Sequence, residues 1–384
     1  MDDCDNHDDR KSSVFAFAQK TGLLKAARLL RVKNSALSIL CYHGVSQADE
    51  HRWRPELYLR AASFRRRLQA IKALNVAVLP LEQALGQVRD GTLDRRSVVI
   101  TFDDGWYDFY SLAWPLLREY GLPVTVYQTS YYSSYCRPVF DTALSYLLWK
   151  GRGSNFRDSK LTGADTIFYL GSGEAIARVA RMIQARAVKS NLTGQEKDLV
   201  LSAVAQRLHI DYAQFVESRV LQLMNPAEVA EISGQGANIQ LHTHRHELSS
   251  NKHAFMAEIQ KNRDWVEAIT SKPACHFCYP NGHYRPEFPE WLREAGMKSA
   301  TTGKPGVVSP VSDPFLLPRI SDSTKVSDAR FEAWLSGVGG FGYTGSAFKR
   351  IFGSHVEEQP LPVAAPVTAP VPDSEKISAK AAAR

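Results

Sequence analysis

Cysteine is scarce in this chain, and long apolar runs and internal repeats are missing altogether; each absence narrows what the protein can be. The cysteines, Cys4, Cys41, Cys136, Cys275 and Cys278, are odd in number. They are spread over a chain too large to need a disulfide framework, which excludes the small stapled scaffolds. Cys275 and Cys278 make a C-x-x-C, but no second pair accompanies them, so buried reduced thiols are expected rather than a zinc or redox site. No window approaches the ~18 consecutive apolar residues that a membrane-crossing helix needs. The N-terminus opens with Asp2, Asp3, Asp5, Asp8 and Asp9 in place of a basic segment, so no secretory signal is expected in the chain as written, and a cytoplasmic location is. The net charge of +7 is modest for 384 residues, though Arg52, Arg54, Arg60, Arg65, Arg66 and Arg67 lie close together. Such a patch suits an anionic glycan, a membrane surface or nucleic acid; with no nucleic-acid motif beside it, a solvated helix face is the preferred reading and no nucleic-acid partner is expected.

What is present organises itself around one stretch, Ser97-Val98-Val99-Ile100-Thr101-Phe102-Asp103-Asp104-Gly105. Its β-branched residues fill a buried parallel strand, which then runs into two adjacent carboxylates. Two carboxylates pressed together do not both stay ionised cheaply. A metal ion on one, with the other left free to take a proton, resolves the conflict. The glycine lets the chain turn sharply beneath them.

Around that stretch, strands and helices alternate. Strands are expected near 36–42, 75–79, 97–102, 122–128, 238–242, 275–279, 298–302 and 315–320, and helices near 62–74, 81–89, 108–120, 251–270, 286–296 and 326–336. This rhythm calls for a parallel sheet with helical crossovers, and seven or eight units suit a closed barrel better than an open doubly wound sheet. Residues 1–12 are acidic and expected to be disordered. Residues 13–35 make a basic amphipathic helix that either caps the domain or touches a membrane peripherally. A barrel is expected over 36–340, interrupted by a helical insertion at 142–225 in which Thr193 caps one helix and Pro226 opens the next. Residues 355–384 are Pro/Ala-rich and read as a flexible tail.

In a barrel the reactive side chains gather where strands end. Those ends hold His43, Asp103, Asp104, the run His242-Thr243-His244-Arg245-His246, Tyr279-Pro280-Asn281-Gly282 and Arg319. His242 and His246 are four apart, which puts both imidazoles on one side of a turn. With an aspartate they make an Asp-His-His set that leaves a position open for water, while His244 points elsewhere.

Thr101-Phe102-Asp103-Asp104-Gly105, then His242-Thr243-x-x-His246, then Tyr279-Pro280-x-Gly282, resemble the polysaccharide deacetylase family, the carbohydrate esterases that include chitooligosaccharide deacetylases. Tyr42-His43-Gly44-Val45 and Leu317-Pro318-Arg319-Ile320 resemble its exopolysaccharide-associated branch. The resemblance implies a distorted (β/α)7 barrel and a divalent metal, zinc above all, on Asp104, His242 and His246. It also implies Asp103 as catalytic base and a backbone N–H of the Tyr279 to Gly282 loop as oxyanion donor. The chain departs from the family in lacking a late Leu-x-His motif and the arginine-containing third motif. His43 then stands in as general acid and Arg319 as the group that orients Asp103.

The expected function is metal-dependent removal of N-acetyl groups from amino sugars of a polysaccharide, oligosaccharide or lipid-linked glycan, at the inner membrane if the basic helix attaches there. The alternatives are a deacylase of a small amide or O-acetyl ester, and a catalytically silent glycan-binding barrel.

Overall fold

The computed structural model describes residues 37–336, so the N-terminal acidic stretch, the helix of residues 13–35 and the tail lie outside the described residues. Seven strands, β1 (Leu37–Tyr42), β2 (Ser97–Phe102), β3 (Thr125–Gln128), β4 (Asn238–Leu241), β5 (His276–Cys278), β6 (Ser299–Pro305) and β7 (Leu317–Ser321), each pair in parallel with the next. The ring closes because β1 pairs with β7 on its other side, at Leu40 and Cys41. The sequence therefore folds as the expected (β/α)7 barrel. The eighth anticipated strand shrinks to Ala77–Val78, which pairs only with Ser97 and Val98 at the start of β2. Further along, at Thr101 and Phe102, the same side of β2 is taken by β3.

All six residues of β2 are buried, as a parallel strand covered on both faces requires. Its two sides serve different cores. Val98, Ile100 and Phe102 pack outward against the helices, whereas Val99 packs in the lumen with Leu37 and Ile39 of β1, Tyr127, Cys278 and Leu317. This period of two decides what reaches the top of the lumen. Outside the strands, helix Ala61–Ala73 buries Phe64, Leu68 and Ile71 at helical spacing, and helix Lys252–Thr270 buries Phe255, Ile259, Asn262 and Val266.

Between β3 and β4 the alternation gives way to helices, chiefly Phe140–Lys150, Gly173–Lys189 and Gly194–Arg207, with a small antiparallel pair at Asn155–Phe156 and Phe168–Tyr169. Thr193 caps the third with a reciprocal bond to Glu196, and Asn225 does the same for helix Pro226–Gly234 through Glu228. The helices enclose a core of their own, which also takes in Tyr58 and Trp106 from the barrel side.

The arginine cluster keeps the solvated face expected of it at Arg52, Arg60 and Arg66, but not at Arg67. Arg65 pairs with Glu119 at 2.5 Å and Arg66 with Asp328 at 2.8 Å. Arg67 is buried, donating to Asp322 at 2.9 Å and lying over the Phe331 ring. The acids Glu119, Asp322 and Asp328 all come from distant parts of the chain, so the local sequence does not show them.

Candidate active site

The luminal phase of each strand continues past its end, and this assembles the first half of the site. On β2 the phase Val99, Thr101 leads to Asp103; on β1, Leu37, Ile39 and Cys41 lead to His43; on β7, Leu317 leads to Arg319. Asp103 is only 3% exposed and is gripped by a two-pronged ion pair. The two terminal nitrogens of Arg319 donate to Oδ1 at 2.6 Å and to Oδ2 at 2.7 Å. Arg319 is itself held by Nε donating to the Thr302 carbonyl at 3.0 Å. The thiols of Cys41 and Cys278 both face Asp103 Oδ2 at 3.6 Å. Burial alone would raise the Asp103 carboxyl, but the guanidinium outweighs it and holds the group at about 2.

His43 stands 3.8 Å from Asp103 Oδ2, with its side chain 26% exposed. Burial lowers its pKa below the ordinary imidazole value, more than Asp103 and Asp104 raise it. Its ring is therefore neutral near pH 7.

Asp104 begins the second half. Its backbone is left-handed (φ +69), and Gly105 follows at φ +82, where a Cβ would fall 2.0 Å from Gln128 Oε1. The glycine is thus required twice, by its dihedral and by the close approach of Gln128. This turn throws Asp104 out of the lumen toward β4. There Oδ1 meets His242 Nε2 at 3.2 Å and His246 Nε2 at 3.3 Å, while Oδ2 accepts from the Trp106 indole at 2.8 Å. The His242 and His246 rings lie 4.9 Å apart.

The donor set fits a divalent cation. One carboxylate oxygen and two imidazole nitrogens lie within 4.8 Å of one another. His242 Nδ1 is 2.8 Å from the Cys278 carbonyl, so it donates there and turns an Nε2 lone pair toward a carboxylate. Two acceptors face to face need a proton or a cation between them. Burial would lower the His242 pKa, yet Cys278 and Asp104 leave it well above the ordinary value; Asp104, which burial would raise, is held well below its own by the two histidines. Asp104 and His246 remain 16% and 33% exposed, leaving an open side. Thr243 and His246 also adopt left-handed backbones (φ +63 and +61), an uncommon pairing that the tight turn imposes. His244 points away, to Ser130 Oγ at 2.9 Å.

Tyr279 and Gly282 do not serve as the oxyanion donors expected of them. The Tyr279 N–H donates to the Thr301 carbonyl at 3.1 Å and that of Gly282 to the Tyr279 carbonyl at 2.8 Å. The Tyr279 ring is fully buried on the outer side of β5, against Phe277 and Phe288. Proline 280 has no N–H, which leaves Asn281, held at φ +56.

Four contributors escaped sequence reasoning. Cys278 and Cys41 are buried and also line the carboxylate, whereas Cys275 is only partly buried and sits at the opposite end of β5. Asn262 accepts from the His242 N–H at 2.9 Å and donates to the Gln128 carbonyl at 3.0 Å. A lone asparagine in the apolar stripe Phe255, Ile259, Val266 was its signal. Trp106 left none.

The class that emerges is a seven-stranded parallel barrel with two unlike carboxylates and a cation-fitting trio on its C-terminal rim. The sequence pattern described as polysaccharide deacetylase matches residues 90–143 and 200–300, passing over the centre of the helical segment. A curated protein of Bacillus subtilis (strain 168), named "putative polysaccharide deacetylase YxkH", is 30% identical over 96 residues, 25% of this chain; the match spans about a third of that relative's length (32%). Among solved structures, the Streptococcus pyogenes deacetylase PplD in complex with acetate is similar with a TM-score of 0.50 at 17% identity, over 76% of this chain and 95% of that one. IcaB from Ammonifex degensii is similar with a TM-score of 0.50 at 15% identity, over 79% and 98%. These two likenesses bear on the fold. Over those matched residues the chain is similar to the polysaccharide deacetylase family.

Proposed function

We propose that this protein is a metal-dependent hydrolase that removes N-acetyl groups from amino sugars of a polysaccharide, oligosaccharide or lipid-linked glycan. The observation that carries the reading is the contrast at one strand end: a buried carboxylate locked by a guanidinium beside a rim carboxylate shared by two imidazoles. Asp104, His242 and His246 hold the divalent cation, zinc by donor type. When bound, the cation lowers the pKa of water and draws electron density from the acetyl carbonyl, which lets even so weak a base as Asp103 accept a proton.

Asp103, ionised near neutral pH, takes the proton of the attacking water. Arg319 fixes the orientation of its two oxygens. His43, neutral beforehand and close enough for one water to span the 3.8 Å, receives that proton and passes it to the departing amine. The N–H of Asn281, the donor left in the Tyr279 to Gly282 loop, takes the part of oxyanion donor, a role that a backbone dipole fulfils without reorganisation. A site of this kind also suits an O-acetyl ester, and the assay must include one.

The proposed setting is the cytoplasm, with loose attachment to the inner membrane through the basic segment of residues 13–35. It rests on the free thiols and on that segment's sequence. Fractionation that finds the protein exported refutes it. For the activity, acetate release from N-acetyl and O-acetyl amino-sugar oligomers is measured with zinc-loaded and chelated protein. Release from the N-acetyl substrate only when zinc is present is expected. Equal release after chelation overturns metal dependence, and release from the ester alone overturns the substrate class.

A further inference from the structure

Asp103 is held from inside the barrel; Asp104 has no barrel partner of that kind. Its Oδ1 is committed to the two imidazoles, and the only group fixing Oδ2 in the described hydrogen bonds is the Trp106 indole N–H, at 2.8 Å. With Oδ2 capped, the carboxylate offers a single oxygen to the histidine side and is not free to rotate and present both. The indole in turn is anchored by the helical segment between β3 and β4. Its ring, 8% exposed, lies in the same apolar core as Phe140, Leu147, Leu221 and Leu223. The backbone is pinned as well. Tyr107 N–H donates to the Gln222 carbonyl at 2.9 Å, Met224 N–H donates to the Gly105 carbonyl at 2.9 Å, and Trp106 forms an antiparallel bridge with Leu223. The returning end of the segment, residues 219–224, is therefore laced to the loop that carries Asp104.

We propose that Trp106 is a positioning residue for the cation site, and that the helical segment works as a brace which holds the indole, and through it the Asp104 carboxylate, in the ligating orientation. The proposal deepens the reading of Asp104 as a cation ligand and rests on it. It assigns the segment a part in building the site, beyond any part in admitting substrate. Partners of this kind, one bond removed from the ion, orient the ligand and set its affinity.

The test measures zinc affinity by competition with a chromophoric chelator, together with the thermal melt of the zinc-free protein, for the full chain. Trp106→Phe keeps the ring in its apolar core and deletes only the donor. It is expected to weaken zinc binding by about 10- to 100-fold while the zinc-free melting temperature stays close to that of the unaltered protein. Leu223→Ala loosens the bed under the indole and is expected to weaken zinc in the same direction, with a lower melting temperature. Should the Phe variant fail to fold, Trp106→Leu, which carries no donor, takes over the test. Unaltered zinc affinity in a folded Phe or Leu variant overturns the proposal. Asp104→Ala separates the two readings: if it binds zinc normally, the ligand assignment fails, whereas if it loses zinc and Trp106→Phe does not, only the brace fails.

Discussion

Asp103 and Asp104 are neighbours in sequence and opposites in circumstance. Asp103 prolongs the luminal phase of β2, is 3% exposed, and has its charge cancelled at once by Arg319. Asp104, one peptide further, is turned by a left-handed backbone onto the rim, where two imidazoles and an indole surround it without cancelling it. The difference teaches that the same side chain is made into a permanent, rigid anion or into an open ligand by which way the strand end points it.

The sharpest way to break the comparison is to exchange the fates of the two. Asp104→Ala should abolish zinc binding, read by metal analysis, and leave the zinc-free melting temperature nearly unaltered, since the side chain lies on the rim. Asp103→Asn should do the reverse for function: zinc retained, and acetate release reduced by about 10²–10⁴-fold. Asp103→Asn that binds zinc and releases acetate at the unaltered rate would falsify its role as base.

Arg319→Met comes next. It strands a buried carboxylate, and breaking such a pair costs roughly 3–5 kcal/mol, read as a large fall in the denaturant midpoint. Acid then sharpens the picture. A carboxyl whose folded pKa is depressed to about 2 lends stability that is complete above its unfolded value and fades as pH falls from about 4 toward 2. The contribution is about 2–3 kcal/mol, and the acid limb of a stability-versus-pH curve should flatten by that amount in Asp103→Asn. Smaller still, Arg66→Ala removes an exposed pair with Asp328 and should cost no more than about 1 kcal/mol in the same denaturation assay.

Much of this was legible before any coordinates. The β-branched run ahead of Asp103 and the alternation of apolar strands and helices lead to the barrel, because a parallel strand buried on both faces leaves a signal in every residue. The pairing of His242 with His246 was legible for a similar local reason, a fixed spacing across one turn. Arg67 was misread: its acids come from Asp322 and Asp328, far along the chain, so its neighbourhood in sequence shows only like charge. The place of the Tyr279 ring was not legible, because a strand-end motif does not say which side of the strand a ring takes. Here Cys278 holds the luminal side, and Tyr279 falls among the aromatic side chains outside it.

By itself the sequence settled which residues alternate, where strands stop and which chemistry waits at those stops, since propensity and period are local properties. Arg319 was already expected beside Asp103; only the tertiary structure decided that it would grip both oxygens, that two thiols would face one of them, and that an indole seated in a helical core would reach Asp104. Those contacts depend on closing a ring of strands and laying a long excursion back against a loop, and no short-range pattern encodes which distant atoms then come within a hydrogen bond of each other.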